Sequence, residues 1–264
     1  METYRLFNRI GLRGLTQRGH ERPGARDRNG ARNALFADLL VSTGLRLEEA
    51  GSLLACEVDA KSMENDTRRQ IRFVLPPPIG KGNRGRTILI PRRVILRLQD
   101  YIEIERASAV AKFKARSTWT RITRPIFVER SEGNPVMLAL SDGSSARIDR
   151  FGPEERQRLV FCKARVPEMP AALWLSEIGL PVRFNSWEAI FLRASRRCNG
   201  AGLDIRLSPH QLRHTFAVHM LAMLIEQQTG HTAHDFSGME AYRQLLSDPL
   251  QQVQRLLGHA SITT

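Results

Sequence analysis

The residues best placed to do chemistry are Ser208-Pro209-His210-Gln211-Leu212-Arg213-His214-Thr215-Phe216-Ala217, together with Leu257-Gly258-His259. The first run has the form of a helix start. Ser208 suits the N-cap, Pro209 the first helical position, and Gln211, falling at N3, completes a capping box. His210 and Arg213 are three apart, so they share one helical face. An imidazole and a guanidinium then point together beside free backbone N–H groups, an arrangement that favours a phosphate.

Two earlier segments carry a single basic residue in a constrained setting. In Thr43-Gly44-Leu45-Arg46-Leu47-Glu48-Glu49-Ala50, Gly44 suits a helix C-terminus and Arg46 falls in the turn before the next helix. In Gly80-Lys81-Gly82-Asn83-Arg84-Gly85 the glycines let backbone approach a partner closely. Read alone, Arg46 is a solvated helix-start charge and Lys81 an exposed loop lysine.

These pieces, met in this order over roughly residues 33–264, resemble the tyrosine recombinase (phage integrase) family. Thr43 to Ala50 looks like its first Arg motif and Gly80-Lys81-Gly82-Asn83 like the hairpin bearing its Lys. The His210 segment looks like its second motif, and Leu257-Gly258-His259-Ala260-Ser261-Ile262-Thr263-Thr264 like the motif just before its nucleophile. The resemblance implies an α+β, mainly helical catalytic domain with a small antiparallel sheet and a β-hairpin. It implies a catalytic set of Arg46, Lys81, His210, Arg213 and His259, with no metal and no cofactor. The reaction it implies is DNA strand breakage and rejoining through a 3′-phosphotyrosyl link. Arg46 and Arg213 would hold the scissile phosphate and His259 would add a hydrogen bond. His210 would serve as acid–base residue, and Lys81 would protonate the leaving 5′ oxygen. His214 and His219 are assigned to packing or support rather than catalysis.

The family's nucleophilic Tyr follows its Leu-Gly-His motif at a distance that, counted from His259, falls beyond Thr264. The three tyrosines, Tyr4, Tyr101 and Tyr242, all lie upstream, and Tyr242 reads as a helix-packing aromatic. The expectation is a catalytic domain stopping just before its nucleophile and inactive for cleavage as it stands. The alternative is an inactive DNA-binding module derived from the same family. A third reading, an RNA-binding or structural basic protein, leaves the order of the motifs to chance.

Composition sets the outer bounds. The 264 residues suit one large or two small domains, and 42% hydrophobic content can fill a core. Net charge is +13 and the pI about 10.8, a balance that favours a polyanion. Lysine occurs only at 61, 81, 112, 114 and 163, so arginine dominates. That dominance suits bidentate phosphate recognition or reflects genomic base composition. The partners expected are double-stranded DNA and further protomers in an active assembly, and no membrane; the expected location is the cytoplasm, in association with the nucleoid. Cys56, Cys162 and Cys198 show neither metal spacing nor a disulfide framework. His231 and His234 form an H-x-x-H pair without the carboxylates or cysteines a metal site needs.

The elements that must position these residues follow from periodicity. Residues 1–31, rich in Arg and Gly, read as a basic flexible arm or linker, and 32–264 as the catalytic domain. Residues 32–43 form a helix, and a second runs from 46 to about 55. Residues 71–75 and 87–90 are strands on either side of Lys81, and 126–128 and 135–138 form a second hairpin around 131–134. A long amphipathic helix runs from Pro91 to about 114. Residues 141–184 and 226–247 look inserted, with a strand candidate at 158–162. Residues 186–199 and 249–257 are helical, and the helix starting at Pro209 buries Phe216, Met220, Leu221 and Leu224.

Overall fold

A computed structural model describes residues 2–21, 29–58, 69–130, 137–141 and 143–232, without the side chains of 130 and 223–232. Helix α1 (Glu2–Leu6) continues as a π-helical segment, Phe7–Leu12. Helix α2 (Gly30–Thr43) ends at Gly44, and the short α3 (Leu47–Gly51) follows at once. Strands β1 (Gln70–Leu75) and β2 (Arg86–Pro91) pair antiparallel in a two-stranded sheet. Helix α4 (Arg92–Tyr101) passes through a π-helical segment (Ile102–Arg106) into α5 (Ala107–Ala115), which realises the long amphipathic helix expected from Pro91.

The next stretch builds a sheet that periodicity foresaw only in part. Strands β3 (Ile126–Arg130), β4 (Met137–Leu140) and β5 (Ser145–Arg147) precede α6 (Pro153–Arg156), β6 (Leu159–Lys163) and β7 (Val166–Pro170). Their order is β5-β4-β3-β6-β7, with β3 and β6 parallel and the other pairs antiparallel. The expected second hairpin is β3–β4; its turn lies outside the described residues. Helices α7 (Phe184–Gly200) and α8 (Pro209–Thr232) complete the fold. The molecule is α+β, with helix outweighing strand. Among the described residues, no helix is long and apolar enough to cross a membrane.

Aromatic rings organise the main core. Phe36 stacks on Trp187 with centroids 3.6 Å apart, and Trp174 meets both rings edge-on. The Arg32 guanidinium lies 5.4 Å from the Trp187 ring centroid and donates to the Leu175 carbonyl at 2.6 Å. It also donates to Asn33 Oδ1 through Nε and Nη2, so the buried cation is held by a π face, a carbonyl and an amide oxygen among its partners. Trp174 Nε1 donates to the Ala50 carbonyl at 2.8 Å, which fixes the end of α3 to this core. A second core of Val128, Leu138, Ile148, Phe151 and Leu159 supports the five-stranded sheet. Between the two lies Arg156, fully buried. It donates to both Glu57 carboxylate oxygens at 2.8 Å and to the Phe151 and Ile148 carbonyls, so its charge is paired and its donors are used.

Two expectations are corrected. The first half of the supposed flexible arm is helical and packed: Phe7, Ile10 and Leu12 are buried in the main core. Asn8 Nδ2 donates to Asp38, and Arg197 donates to the Gly11 carbonyl. Averaged composition hid this, because a few apolar residues on one side of a short helix are enough to dock it. The helix expected from 46 to about 55 is split. It stops at Gly51, and Glu57 accepts the Leu54 N–H at 3.0 Å to start a new 3₁₀ turn, Ala55–Glu57. In α8, Phe216 is buried while Met220 and Leu221 are only half-buried; the side chain of Leu224 and the segments 233–247 and 249–257 lie outside the described residues.

Candidate active site

The start of α8 forms as its sequence dictates. Ser208 N–H donates to Gln211 Oε1 at 2.8 Å and Gln211 N–H donates to Ser208 Oγ at 3.3 Å, a reciprocal capping box. His210 and Arg213 face one cleft of about 420 Å³. Arg46, Arg206, Ser208 and Glu188 line the same cleft, over a floor from Phe191 and Ser195 of α7. Residues 46, 210 and 213 are thus brought together across most of the chain.

What gathers the two arginines is a buried carboxylate. Glu49 of α3 is 1% exposed. Arg86, the first residue of β2, grips it through two bonds, Nη1 to Oε1 at 2.7 Å and Nη2 to Oε2 at 2.6 Å. Arg46 gives it a backbone N–H at 2.7 Å and a guanidinium contact at 3.0 Å. Arg213 comes within 4.0 Å of it from α8. Burial alone would push the Glu49 carboxyl up. The bonds and charge of Arg86, with those of Arg46, outweigh it and hold the carboxyl below its usual range. Glu49 is therefore an anion facing three cations, which leaves a net positive field at the cleft.

Arg213 is pinned from a second side. Its Nη1 donates to the Gly44 carbonyl, 169 positions away in the chain. Gly44 sits at φ 65°, ψ 20° as the C-cap of α2, a left-handed conformation that suits glycine and turns its carbonyl toward α8. Burial, then the charge of Arg46, lower the Arg213 guanidinium to about 10, still fully cationic at neutral pH. Desolvated cations held in place in this way act on a phosphate without first reorganising.

Lys81 does not line the cleft. It is exposed on the turn between the 3₁₀ segment Pro77–Ile79 and β2, followed by Gly82 and Asn83 at φ 69° and 55°. The turn is tight: a Cβ on Gly80 would come within 2.1 Å of the Arg84 carbonyl oxygen. β2 begins at Arg86, so the strand carrying the Glu49 clamp also anchors the Lys81 turn. His259 and Tyr242 lie outside the described residues, as does His234; the His231 side chain is not described. Tyr4 donates to Asp38, and the Tyr101 hydroxyl accepts from Leu175 N–H at 3.0 Å. Both belong to the main core rather than to the cleft. Sequence reasoning assigned no role to Glu49 or Arg86. Glu49 stood inside the quoted Arg46 motif, but a buried carboxylate and a surface one look alike in a helix start.

A family model described as the phage integrase family matches residues 21–245. The chain belongs to the phage integrase family. It is 32% identical over 136 residues to tyrosine recombinase XerD of Corynebacterium glutamicum, covering 47% of this chain and 43% of that protein. An integrase/recombinase of Escherichia coli is 24% identical over 231 residues, covering 87% of this chain and 52% of that protein. The chain thus spans about half the length of these relatives, or less. Among solved structures, the XerH site-specific recombinase bound to difH substrate in a pre-cleavage complex aligns over 99% of this chain and 47% of that one. Identity there is 18% and the TM-score 0.46.

Proposed function

We propose that this chain carries the phosphate-gripping part of a tyrosine recombinase active site and acts on double-stranded DNA, breaking and rejoining strands through a 3′-phosphotyrosyl link. The supporting observation is one cleft lined by Arg46, His210 and Arg213, with Glu49 clamped behind it by Arg86. Arg46 and Arg213 contact the non-bridging oxygens of the scissile phosphate and neutralise charge as the phosphorus becomes five-coordinate. His210, exposed at the mouth, takes the proton from an attacking tyrosine, whose free pKa of about 10 makes it a poor nucleophile unaided. His259 adds a hydrogen bond to the same phosphate. Lys81 donates a proton to the departing 5′ oxygen, and the turn that carries it moves onto DNA when the duplex binds. The active assembly contains further protomers and works in the cytoplasm at the nucleoid.

The test is a nicked suicide duplex resolved on a denaturing gel. The 264-residue polypeptide binds the duplex with steep salt dependence and forms no covalent band. A polypeptide extended through the following codons, with a Tyr shortly after Thr264, forms the band, and Arg213→Ala in it removes the band. A covalent band from the 264-residue polypeptide would move the nucleophile elsewhere, with Tyr242 the first suspect. An extended polypeptide that carries the Tyr and never forms a band would mark a binding module instead.

A further inference from the structure

A second basic groove lies at the opposite end of the α7 face that floors the cleft. Arg121, Arg158 and Arg183 line it, from the 3₁₀ turn Thr118–Arg121, the connection into β6, and the residue before α7. Arg121 and Arg183 are exposed and Arg158 is half-buried. Glu154 is the acidic residue in the lining, so the groove is net cationic.

The two grooves share one helical stripe. Phe184 and Asn185 line the second groove, while Glu188, Phe191, Leu192 and Ser195 line the first. Positions 184, 188, 191 and 195 follow the three-and-four spacing of a single face. At 1.5 Å per residue, Phe184 and Ser195 are separated by about 16 Å along the axis. Helix α3 runs beside the stripe. Arg46, just before it, is in the first cleft, and Gly51 at its end packs so closely that a Cβ there would sit 3.0 Å from the Phe184 ring. The two grooves are therefore tied together through α3 and α7, with Glu188 on the stripe between the arginines of one and those of the other.

We infer that Arg121, Arg158 and Arg183 bind the phosphodiester backbone of the same duplex, a few phosphates to one side of the scissile position. This rests on the function proposed above and adds a contact surface to which the 141–184 segment contributes Arg158 and Arg183. Measured from Phe184, the α7 residues of the first cleft lie about 6 Å (Glu188) to 16 Å (Ser195) along the axis, and a DNA strand carries one phosphate per about 3.4 Å of axial rise, so the offset corresponds to roughly two to five phosphates. Arginine suits the role, because its fork takes two phosphate oxygens at once.

The test uses the 264-residue chain and a duplex, with affinity measured across a salt series. Combining Arg121→Ala, Arg158→Ala and Arg183→Ala reduces the slope of log affinity against log salt by about 2 to 3, because each lost phosphate contact removes about 0.9. A matched variant combining Arg5→Ala, Arg9→Ala and Arg147→Ala removes the same net charge from exposed positions outside both grooves and leaves the slope unchanged. Equal melting temperatures for the three proteins exclude loss of fold. Phosphate-ethylation interference then loses positions on one side of the scissile phosphate only in the groove variant. Equal slopes for the groove variant and the matched variant would overturn the inference while leaving the proposed function standing. A parent chain that does not bind duplex DNA at all would overturn the function itself.

Discussion

The Glu49 clamp and the Lys81 turn sit at the two ends of one connection, yet they are built on opposite principles. At the clamp, three arginines from a turn, a strand and a helix converge on a carboxylate that is 1% exposed. At the turn, a lone lysine stands in water on backbone with two successive left-handed residues. On the function proposed above, the difference suits two demands on one reaction. A phosphate grip gains from cations already desolvated and fixed. A leaving-group acid has to reach an atom whose place is set only when DNA arrives, and an exposed turn can close onto it. Arg86 at the foot of the turn joins the two, so the exposed turn is anchored on the buried clamp.

The largest effect that can break this contrast is loss of the clamp. Glu49→Ala leaves three guanidiniums facing one another and lowers unfolding stability by about 3–5 kcal/mol in a denaturant titration. A cost near zero would mean the arginines are solvated and the clamp is not structural. Arg213→Ala comes next: losing the bond to the Gly44 carbonyl and the approach to Glu49 costs about 1–3 kcal/mol of stability. In a cleavage-competent extended polypeptide it also slows adduct formation by about 10²–10³ or more.

Acid should weaken the clamp and leave the turn untouched. The Glu49 carboxyl is held below its unfolded value, so it binds fewer protons folded than unfolded. Its contribution is therefore complete above the ordinary Glu pKa of about 4.3 and disappears as pH falls through the lower folded value. Glu49→Gln removes that part of the acid limb, so melting curves of parent and variant draw together as pH drops below that range. A gap between them that stays constant from neutral pH into acid would contradict the assignment. The smallest effect belongs to the turn: Lys81→Ala changes stability by no more than about 0.5 kcal/mol, while slowing strand cleavage in the extended polypeptide.

Much of the site's local chemistry was legible because it is written within a few residues. Ser208, Pro209 and Gln211 announce a helix start, and the structure closes the expected capping box. Gly44 announces a helix end, and the two runs flanking Lys81 pair as read. What stayed hidden depends on contacts between distant positions. Glu49 meets Arg86, 37 positions on, and Arg156 meets Glu57, 99 positions back. No periodicity distinguishes those charges from solvated ones. The parallel pairing of β3 with β6 was hidden for the same reason: alternation within a strand does not say which strand lies beside it. Phe7, Ile10 and Leu12 were lost among arginines, although one docked face needs no more than they provide.

Arg46, His210 and Arg213 are proposed as the seat of one DNA phosphate. The most direct test is a structure of the chain bound to a duplex spanning its recognition site. The expected result is a single backbone phosphate in the cleft, with oxygens about 2.7–2.9 Å from both guanidiniums and the His210 imidazole at its edge. DNA bound elsewhere on the surface, with that cleft facing solvent, would contradict it.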